Sequence, residues 1–221
     1  MNEQEKLIRE DQGRLNPGGF WDDRYREDAY FYGITPNGWL MAQASLLPSA
    51  GKALAVADGE GRNGVWLAEQ GLTVTSVDVS AKGLAKTRAL AADRGVEVET
   101  IEADLRHWAW PVAAYDVVVS IFAHFPPDLR VQVHRGIGQA LRPGGLLVLE
   151  AYSPYQRIHA TGGPKALDLL YTAWQVAQDL KGLDVFHLEE TEVDLAEGKG
   201  HRGRSAVVRL LARREAQFPI S

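Results

Sequence analysis

The chain has 221 residues, of which 45% are hydrophobic, with a net charge of −5 and no cysteine. This length fits one domain, no apolar run reaches the ~20 residues that span a bilayer, and the charged N-terminus lacks an apolar export signal, so we expect a cytoplasmic protein. The lack of cysteine excludes disulfides and thiolate metal sites, and the negative charge disfavours sequence-independent binding to nucleic acid.

The first 47 residues are predicted to form a polar arm (1–19) and a helical segment (20–47). Twelve positions of this segment hold five aromatic residues, which are Trp21, Tyr25, Tyr30, Phe31 and Tyr32. Pro36 after Thr35 predicts a helix over 36–46, because proline is tolerated in the first turn and threonine can cap it. Aromatic faces attract cations and the arm offers few apolar anchors, so we expect segment 20–47 to act as a lid.

Strand and helix signals then alternate along the chain, which is typical of a mostly parallel sheet with right-handed crossovers. The predicted strands are 53–57, 73–78, 96–101, 116–121 and 146–151, and the predicted helices are 62–70, 80–94 and 127–141. A helix over 165–180 follows, and two β-rich runs, 183–195 and 205–212, predict a closing antiparallel hairpin. We therefore predict an α/β fold in one domain (1–221): a Rossmann-like, doubly wound, seven-stranded sheet over 53–213, mostly parallel.

The loop after the first strand carries the strongest functional signal. Gly59, Gly61 and Gly64 fit the pattern G-x-G-x-x-G between a strand and a helix. Asp78 ends the next strand about 20 residues on, where an acid binds the hydroxyls of a ribose. The pattern predicts a cofactor that contains adenosine.

Two carboxylates in this loop, Asp58 and Glu60, favour one such cofactor over another. A dinucleotide brings an anionic pyrophosphate to the helix N-terminus, where nearby carboxylates would repel it. S-adenosylmethionine has a ribose but no phosphate, and it carries a sulfonium and an ammonium group that acids attract. The charges therefore favour S-adenosylmethionine over NAD.

Five segments in this order resemble motifs of the class I S-adenosylmethionine-dependent methyltransferases. They are 59–63, 75–80, 102–105, 115–121 and 141–149. The resemblance implies that Asp78 binds the ribose and that Asp104 accepts a hydrogen bond from the adenine amino group. The predicted cofactor-binding residues are Trp21, Arg24, Ala57, Asp58, Gly59, Gly61, Asn63, Asp78, Val79, Ala103, Asp104, Leu105 and Ile121.

Within that family, segments 21–25, 32–37 and 197–204 resemble the tellurite-resistance-type branch of small bacterial methyltransferases. Two positions depart from the wider family pattern, since Ala55 replaces the acid inside the first strand and Ala57 replaces the first glycine of the loop. Asp58 can take the place of the missing acid at the methionine end of the cofactor.

The acceptor side is predicted from residues after the fourth and fifth strands. His124 is a candidate general base because imidazole titrates near neutrality, although a lone histidine beside apolar residues is more often a structural hydrogen-bond partner. The predicted substrate pocket consists of Tyr25, Tyr32, Tyr152 and Gln156. Segment 124–127 lacks the Asp/Asn-Pro-Pro-aromatic pattern of nucleobase and glutamine N-methylases, which favours a small-molecule acceptor.

Other groups are predicted to have no part in the site. The six histidines are scattered without metal-ligand spacing, so no metal is expected. The basic clusters 201–204 and 213–214 are interpreted as solvated ends of the hairpin.

The sequence thus predicts a methyltransferase that acts on a small molecule, with no nucleic-acid or membrane partner, as a monomer or homodimer. Two alternatives remain open: an NAD(P)-dependent oxidoreductase with the same loop, and a non-catalytic protein that binds adenosylmethionine. The acceptor atom cannot be inferred from the fold.

Overall fold

The computed structural model describes residues 15–159 and 161–215, so residues 1–14 of the predicted polar arm lie outside the described part. In chain order the elements are α1 (Pro17–Arg24), α2 (Gly38–Ala42), β1 (Lys52–Val56), α3 (Arg62–Glu69), β2 (Thr73–Asp78), α4 (Ala81–Arg94), β3 (Val98–Glu102), β4 (Tyr115–Ile121), α5 (Pro127–Ala140), β5 (Leu141–Tyr152), α6 (Ala173–Asp179), β6 (Leu183–Glu197) and β7 (His201–Arg214). Among these described helices, none has the length and apolar character needed to cross a membrane.

All seven strands form one sheet in the order β3-β2-β1-β4-β5-β7-β6. Neighbouring strands from β3 to β5 are parallel, whereas β7 runs antiparallel to both β5 and β6. The predicted fold class is therefore confirmed. The strand order reverses between β1 and β4, and in open sheets of this kind ligands bind at the carboxyl ends of the strands beside that switch point.

The core has a layer on each face of the sheet because the central strands are buried on both faces. In β1, Leu54 and Val56 pack into one layer together with α5, whereas Ala53 and Ala55 pack into the other, which includes Leu67 of α3. Burying one such leucine or valine contributes about 1.5–3 kcal/mol. The two layers hold the strand ends, and the loops that follow them, in fixed positions.

The helix boundaries follow local capping signals. The Ser80 hydroxyl accepts the N–H of Gly83 at 3.0 Å to begin α4, and Gly95 ends it in a left-handed conformation, as predicted. The helix predicted over 36–46 is shorter and is capped by Asn37 instead of Thr35, because the Asn37 side chain accepts the N–H of Leu40 at 2.9 Å.

The helix predicted over 165–180 is also shorter. Thr172 and Gln175 form a capping box that begins α6. Before it, a short 3-10 helix (Leu167–Leu169) leads to the buried residues Leu170 and Tyr171, and the N–H of Tyr171 donates to the carbonyl of Tyr152 at 3.0 Å. This bond fixes the segment to the end of β5 and keeps it out of the helix.

The C-terminal hairpin is longer than predicted, because the turn contains only residues 198–200. Glu197 at the end of β6 is therefore paired with His201 at the start of β7. His201 is only 6% exposed, so the interpretation of 201–204 as a solvated end is wrong for this residue. The short turn pairs His201 with Glu197 and so buries the histidine. The charges of neighbouring residues in the sequence do not indicate this pairing.

Candidate functional site

A cavity of about 1450 Å³ opens at the carboxyl edge of the sheet, beside the switch point between β1 and β4. It is lined by α1, by the loops after β1 to β4, and by the turn between β6 and β7. Small-molecule pockets typically measure about 300–1000 Å³. The cavity therefore has room for more than one small molecule.

The loop after β1 is shaped by left-handed residues. Ala57 has φ 51° and Gly59 has φ 62°. A Cβ on Gly59 would lie 2.6 Å from the hydroxyl oxygen of Tyr25, so only glycine fits there. At Ala57 the same backbone region costs an L-residue about 1–2 kcal/mol, which places strain at the rim of the cavity.

Asp78 joins this loop to the end of β2. Its Oδ2 accepts the N–H of Gly59 and its Oδ1 accepts the N–H of Ser80, each at 2.8 Å. Burial is the main cause that raises the pKa of Asp78 to about 6, and the charge of Asp58 adds to it, while the backbone hydrogen bonds oppose it. Each carboxylate oxygen keeps a lone pair for a ligand in the cavity that it lines.

The two loop carboxylates do not act as expected from the sequence. Glu60 is 3% exposed, lies 2.7 Å from the ammonium of Lys86, and accepts the N–H groups of Phe31 and Tyr32 at 3.1 Å each. Its charge is thus balanced within the protein. The loop charges alone therefore do not distinguish a sulfonium ligand from a dinucleotide.

Asp58 lines the cavity but uses its carboxylate within the protein. Its Oδ2 accepts the Ser76 hydroxyl at 2.8 Å and the N–H of Gly64 at 3.2 Å, and burial raises its pKa. These bonds cap the start of α3 and tie it to β2. That Asp58 takes the place of the acid missing at Ala55 stays a prediction.

Asp104 lies after β3, on the side predicted to hold adenine. Its Oδ1 accepts the N–H of Arg106 at 2.9 Å, and its Oδ2 is 3.3 Å from the guanidinium of the same residue. The Asp104 side chain is 30% exposed, so it remains open to a ligand in the cavity. Apolar residues on either side of it form the neighbouring wall, namely Val79, Ala103, Leu105 and Ile121.

Most of the predicted cofactor residues line this one cavity. They are Trp21, Arg24, Ala57, Asp58, Asn63, Asp78, Val79, Ala103, Asp104, Leu105 and Ile121. Gly59 and Gly61 do not line it. Gly61 begins α3 in a left-handed conformation against Thr87 and therefore shapes the loop from behind.

The aromatic segment covers one side of the cavity. Trp21 stacks on Tyr25 with 5.6 Å between ring centroids, and Tyr25 meets the edge of Tyr32 at 6.4 Å. Arg24 lies 4.9 Å from the ring centroid of Phe31 and also lines the cavity. A guanidinium and four aromatic rings thus face the space beyond the glycine loop.

The predicted lid, residues 20–47, consists of two parts that differ in their anchoring. Residues 30–47 are fixed to the core: Glu60 holds residues 31 and 32, and the Asn37 side chain donates to Glu150 at 2.6 Å and to Glu197 at 3.1 Å. Helix α1 is tied to the core by Asp22, which accepts the Ser80 hydroxyl at 2.6 Å, and by the buried ring of Tyr25 at its end. The part around α1 has fewer hydrogen bonds to the core than residues 30–47 and is the better candidate for a lid.

His124 lines the cavity but does not present a free nitrogen to it. Its Nδ1 donates to the carbonyl of Leu169 at 2.6 Å, and its Nε2 accepts the N–H of Tyr152 at 3.3 Å. Burial lowers the pKa of His124 to about 4. Both ring nitrogens are hydrogen-bonded to backbone groups. The geometry therefore contradicts the predicted general-base role of His124 and indicates a structural role.

The residues predicted for the substrate pocket differ in their positions. Tyr25, Tyr32 and Tyr152 line the cavity, whereas Gln156 is 1% exposed and lies behind the wall. The Gln156 amide nitrogen donates to the Thr161 hydroxyl at 3.0 Å, and its oxygen accepts the N–H of Ala206 at 2.8 Å. It ties the loop at 161–163 to β7 instead of contacting a substrate.

One pair of residues at the cavity was missed by the sequence reasoning. Glu197 Oε2 lies 3.8 Å from Nδ1 of His201 and 2.6 Å from the Arg62 guanidinium. The His201 ring lines the cavity. The spacing Glu-Gly-Lys-Gly-His is a usable signal, because a three-residue glycine turn between two strands places the flanking residues opposite each other.

Comparison with known proteins agrees with the architecture. Residues 53–145 match a family model described as a methyltransferase domain. No curated protein matches the chain significantly.

Three solved structures illustrate the fold. A protein from work on the conversion of a disulfide bond into a thioacetal group during echinomycin biosynthesis is 20% identical with a TM-score of 0.74, covering 91% of this chain and 93% of its own. A SAM-dependent methyltransferase from Methanosarcina mazei is 15% identical with a TM-score of 0.65, covering 78% and 96%. TehB from Haemophilus influenzae is 19% identical with a TM-score of 0.66, covering 90% and 67%.

At these identities the structures show the fold alone. Residues 53–145 thus resemble a methyltransferase domain, and the chain has the Rossmann-like fold seen in solved S-adenosylmethionine-dependent methyltransferases.

Proposed function

We propose that the protein binds S-adenosylmethionine and transfers its methyl group to a small molecule held in the same cavity. The observation that carries this proposal is the continuity of the cavity from Asp78 to His201, with a volume above that of a site for one small ligand. At one end of this cavity Asp78 offers a carboxylate for a ribose. The other end is lined by aromatic side chains.

The chain's own residues suit the parts of this cofactor. The Asp78 carboxylate can accept both ribose hydroxyls, and Asp104 can accept the adenine amino group between apolar walls. Arg24 faces the region beyond the glycine loop, where it can pair with the methionine carboxylate. The rings of Trp21, Tyr25 and Tyr32 lie nearby and can shield a sulfonium cation.

Methyl transfer is an in-line displacement at carbon, so the protein chiefly has to position the acceptor and exclude water. When bound, S-adenosylmethionine supplies the electrophilic methyl group. The aromatic segment, the ends of β4 and β5 and the hairpin turn form the walls against which the acceptor would be positioned.

The finer assignment to the tellurite-resistance-type branch is part of the proposal and is supported by segments 21–25, 32–37 and 197–204. Two observations support a small-molecule acceptor. The site is a cavity, and the negative net charge disfavours nucleic acid as the acceptor. An NAD(P)-dependent oxidoreductase remains the competing function, since Glu60 and Asp58 use their charges internally.

Turnover tests the proposal. The protein is incubated with S-adenosylmethionine and a panel of small acceptors, and S-adenosylhomocysteine is quantified. We expect its formation to depend on one class of acceptor and to be lost in Asp78→Asn. Binding of S-adenosylmethionine without turnover of any acceptor would favour the non-catalytic alternative.

A further inference from the structure

The hairpin end of the cavity contains a histidine, His201, beside a buried carboxylate, Glu197. Glu197 accepts the N–H of Gly38 and the amide of Asn37, each at 3.1 Å, and pairs with Arg62 at 2.6 Å. Burial alone would raise the pKa of Glu197, but its contacts with His201, Arg62 and Gly38 together lower it to about 2. Glu197 is therefore an anion at neutral pH, fixed in place below the ring of His201.

The hairpin turn positions this pair by close packing. A Cβ on Gly198 would collide with the backbone of Tyr32 and Gly33, and the N–H of Lys199 donates to the carbonyl of Phe31 at 2.8 Å. The turn is thus docked against the anchored part of the aromatic segment. His201 is as firmly held as the sheet itself.

Three aromatic rings surround the imidazole of His201. Ring centroids lie 4.2 Å away for Phe122, 4.4 Å for Tyr32 and 5.6 Å for Tyr152. Nδ1 lies 3.8 Å from Glu197, an ion-pair distance but too long for a hydrogen bond, and neither ring nitrogen has a hydrogen bond to a residue in the described part of the chain. A nitrogen acceptor without a partner therefore lies among flat apolar faces at the cavity wall.

Resting on the proposed function, we propose that His201 is the general base of the reaction and that the acceptor is a planar, aromatic molecule with a hydroxyl or amino group. The ring of the acceptor packs against the side of the cluster formed by Tyr32, Phe122 and Tyr152 that lines the cavity. Its proton-bearing group then lies against Nε2 of His201.

The step is balanced as follows. A lone pair of the acceptor oxygen or nitrogen forms the bond to the methyl carbon, and the carbon–sulfur bond breaks with its electrons going to sulfur. The acceptor's proton passes to Nε2 of His201. The resulting imidazolium is stabilised by Glu197 until the proton leaves to water, and S-adenosylhomocysteine and the methylated acceptor are released.

The groups that face His201 keep it neutral before the reaction. Burial lowers the pKa of His201 to about 4, Glu197 opposes this, and the positive charges of Arg62 and Arg24 add to it. His124 lies on the same side and is itself neutral at pH 7, since burial lowers its pKa too. The phenols of Tyr32 and Tyr152 also stay neutral because burial raises their pKa values. His201 is thus in the form that accepts a proton.

Binding of phenol and anisole tests the contact without turnover. The two probes share one ring, but only phenol has a proton to donate. With S-adenosylhomocysteine present, we expect the wild type to bind phenol about three- to tenfold more tightly than anisole, as one hydrogen bond allows. His201→Phe keeps a flat ring among the aromatic neighbours and should remove this preference. His187→Phe, in the same hairpin but outside the cavity lining, should retain it.

Several results would overturn the proposal. They are equal binding of phenol and anisole in the wild type, binding of neither probe, or an unchanged preference in His201→Phe. Failure to bind S-adenosylhomocysteine would instead overturn the proposed function, and it is read separately in the same titration.

Turnover adds a readout that a structural role would not change. Among the panel of acceptors, the methylated compounds should be aromatic hydroxyls or amines, and His201→Phe should slow them about 10²- to 10⁴-fold. Methylation confined to acceptors without such a proton, or an unchanged rate in His201→Phe, would contradict the base role.

Discussion

The carboxylate of Asp78 accepts the backbone N–H of Gly59 at 2.8 Å, so the end of β2 holds the glycine loop that follows β1. The contact joins two segments 19 residues apart at the switch point of the sheet. It places the proposed ribose acceptor and the loop in one rigid unit.

Asp78→Asn should weaken binding of S-adenosylhomocysteine at least about tenfold. The carboxylate offers charge-assisted hydrogen bonds worth roughly 1.5–3 kcal/mol each, and every ~1.4 kcal/mol is one decade of affinity. Calorimetric titration measures this change, with the exposed Asp93→Asn as the matched control. Unchanged affinity in a folded Asp78→Asn variant would place the ribose elsewhere.

Affinity for the same ligand should depend on pH through Asp78. Because the pKa of this carboxyl is raised to about 6 in the empty protein, protons compete with the ribose hydroxyls below that pH. We expect a constant dissociation constant above about pH 7 and a loss of up to about tenfold per pH unit below about pH 6. Asp78→Asn should abolish this dependence, and a flat profile in the wild type would contradict the assignment.

Stability should fall in acid through His201. Its pKa is about 4 in the folded protein, against about 6.5 for a free histidine, so the unfolded chain binds the additional proton between these values. By linkage the wild type loses stability as the pH falls through this window, at about 1.4 kcal/mol per pH unit for one proton. Asp78 acts in the opposite direction because its pKa is raised, so the comparison with His201→Phe isolates the histidine.

The free energy of unfolding is measured with guanidinium at several pH values. Between the two pKa values, it should fall less steeply with decreasing pH in His201→Phe than in the wild type, by about 1.4 kcal/mol per pH unit. Parallel slopes in the two proteins would mean that His201 is not buried in its neutral form.

Ala57→Gly should stabilise the protein by up to about 1 kcal/mol. It relieves a left-handed alanine that costs about 1–2 kcal/mol, and the greater freedom of glycine in the unfolded chain offsets about 0.5–1 kcal/mol of this. Ala55→Gly, a buried position inside β1, is the control and should destabilise. If the two variants lost the same free energy of unfolding, the left-handed conformation of Ala57 would be contradicted.

The α1 region should close over the cofactor, whereas residues 30–33 should not change. Amide exchange in residues 18–29 should slow on addition of S-adenosylhomocysteine, because the side-chain hydrogen bonds from α1 to the core are those of Asp22 and the helix lines the cavity. Residues 31 and 32 already donate to Glu60 and should be protected in both states. Equal protection of 18–29 with and without ligand would make the whole segment a fixed wall.

Local signals explain why much of the fold could be predicted from the sequence. Ser80 and Gly95 cap α4 by contacts within a few residues, and the alternation of apolar strands with helices determines the parallel sheet. Asp78 ends β2 and Asp104 lies two residues after β3, so their place at the sheet edge follows from the strands.

The remaining features depend on partners distant in the sequence. Glu60 is balanced by Lys86, and His124 is held by Leu169 and Tyr152, none of which the local pattern indicates. His201 was placed in a solvated cluster because its neighbours are basic. Only the register of a three-residue turn brings it opposite Glu197 and into the cavity.

Calorimetric titration of the protein with S-adenosylhomocysteine, S-adenosylmethionine and NAD tests the central claim most directly. The account predicts saturable binding of both sulfur compounds to one site and little or no binding of NAD. Tight binding of NAD with no response to either sulfur compound would contradict it and favour the oxidoreductase.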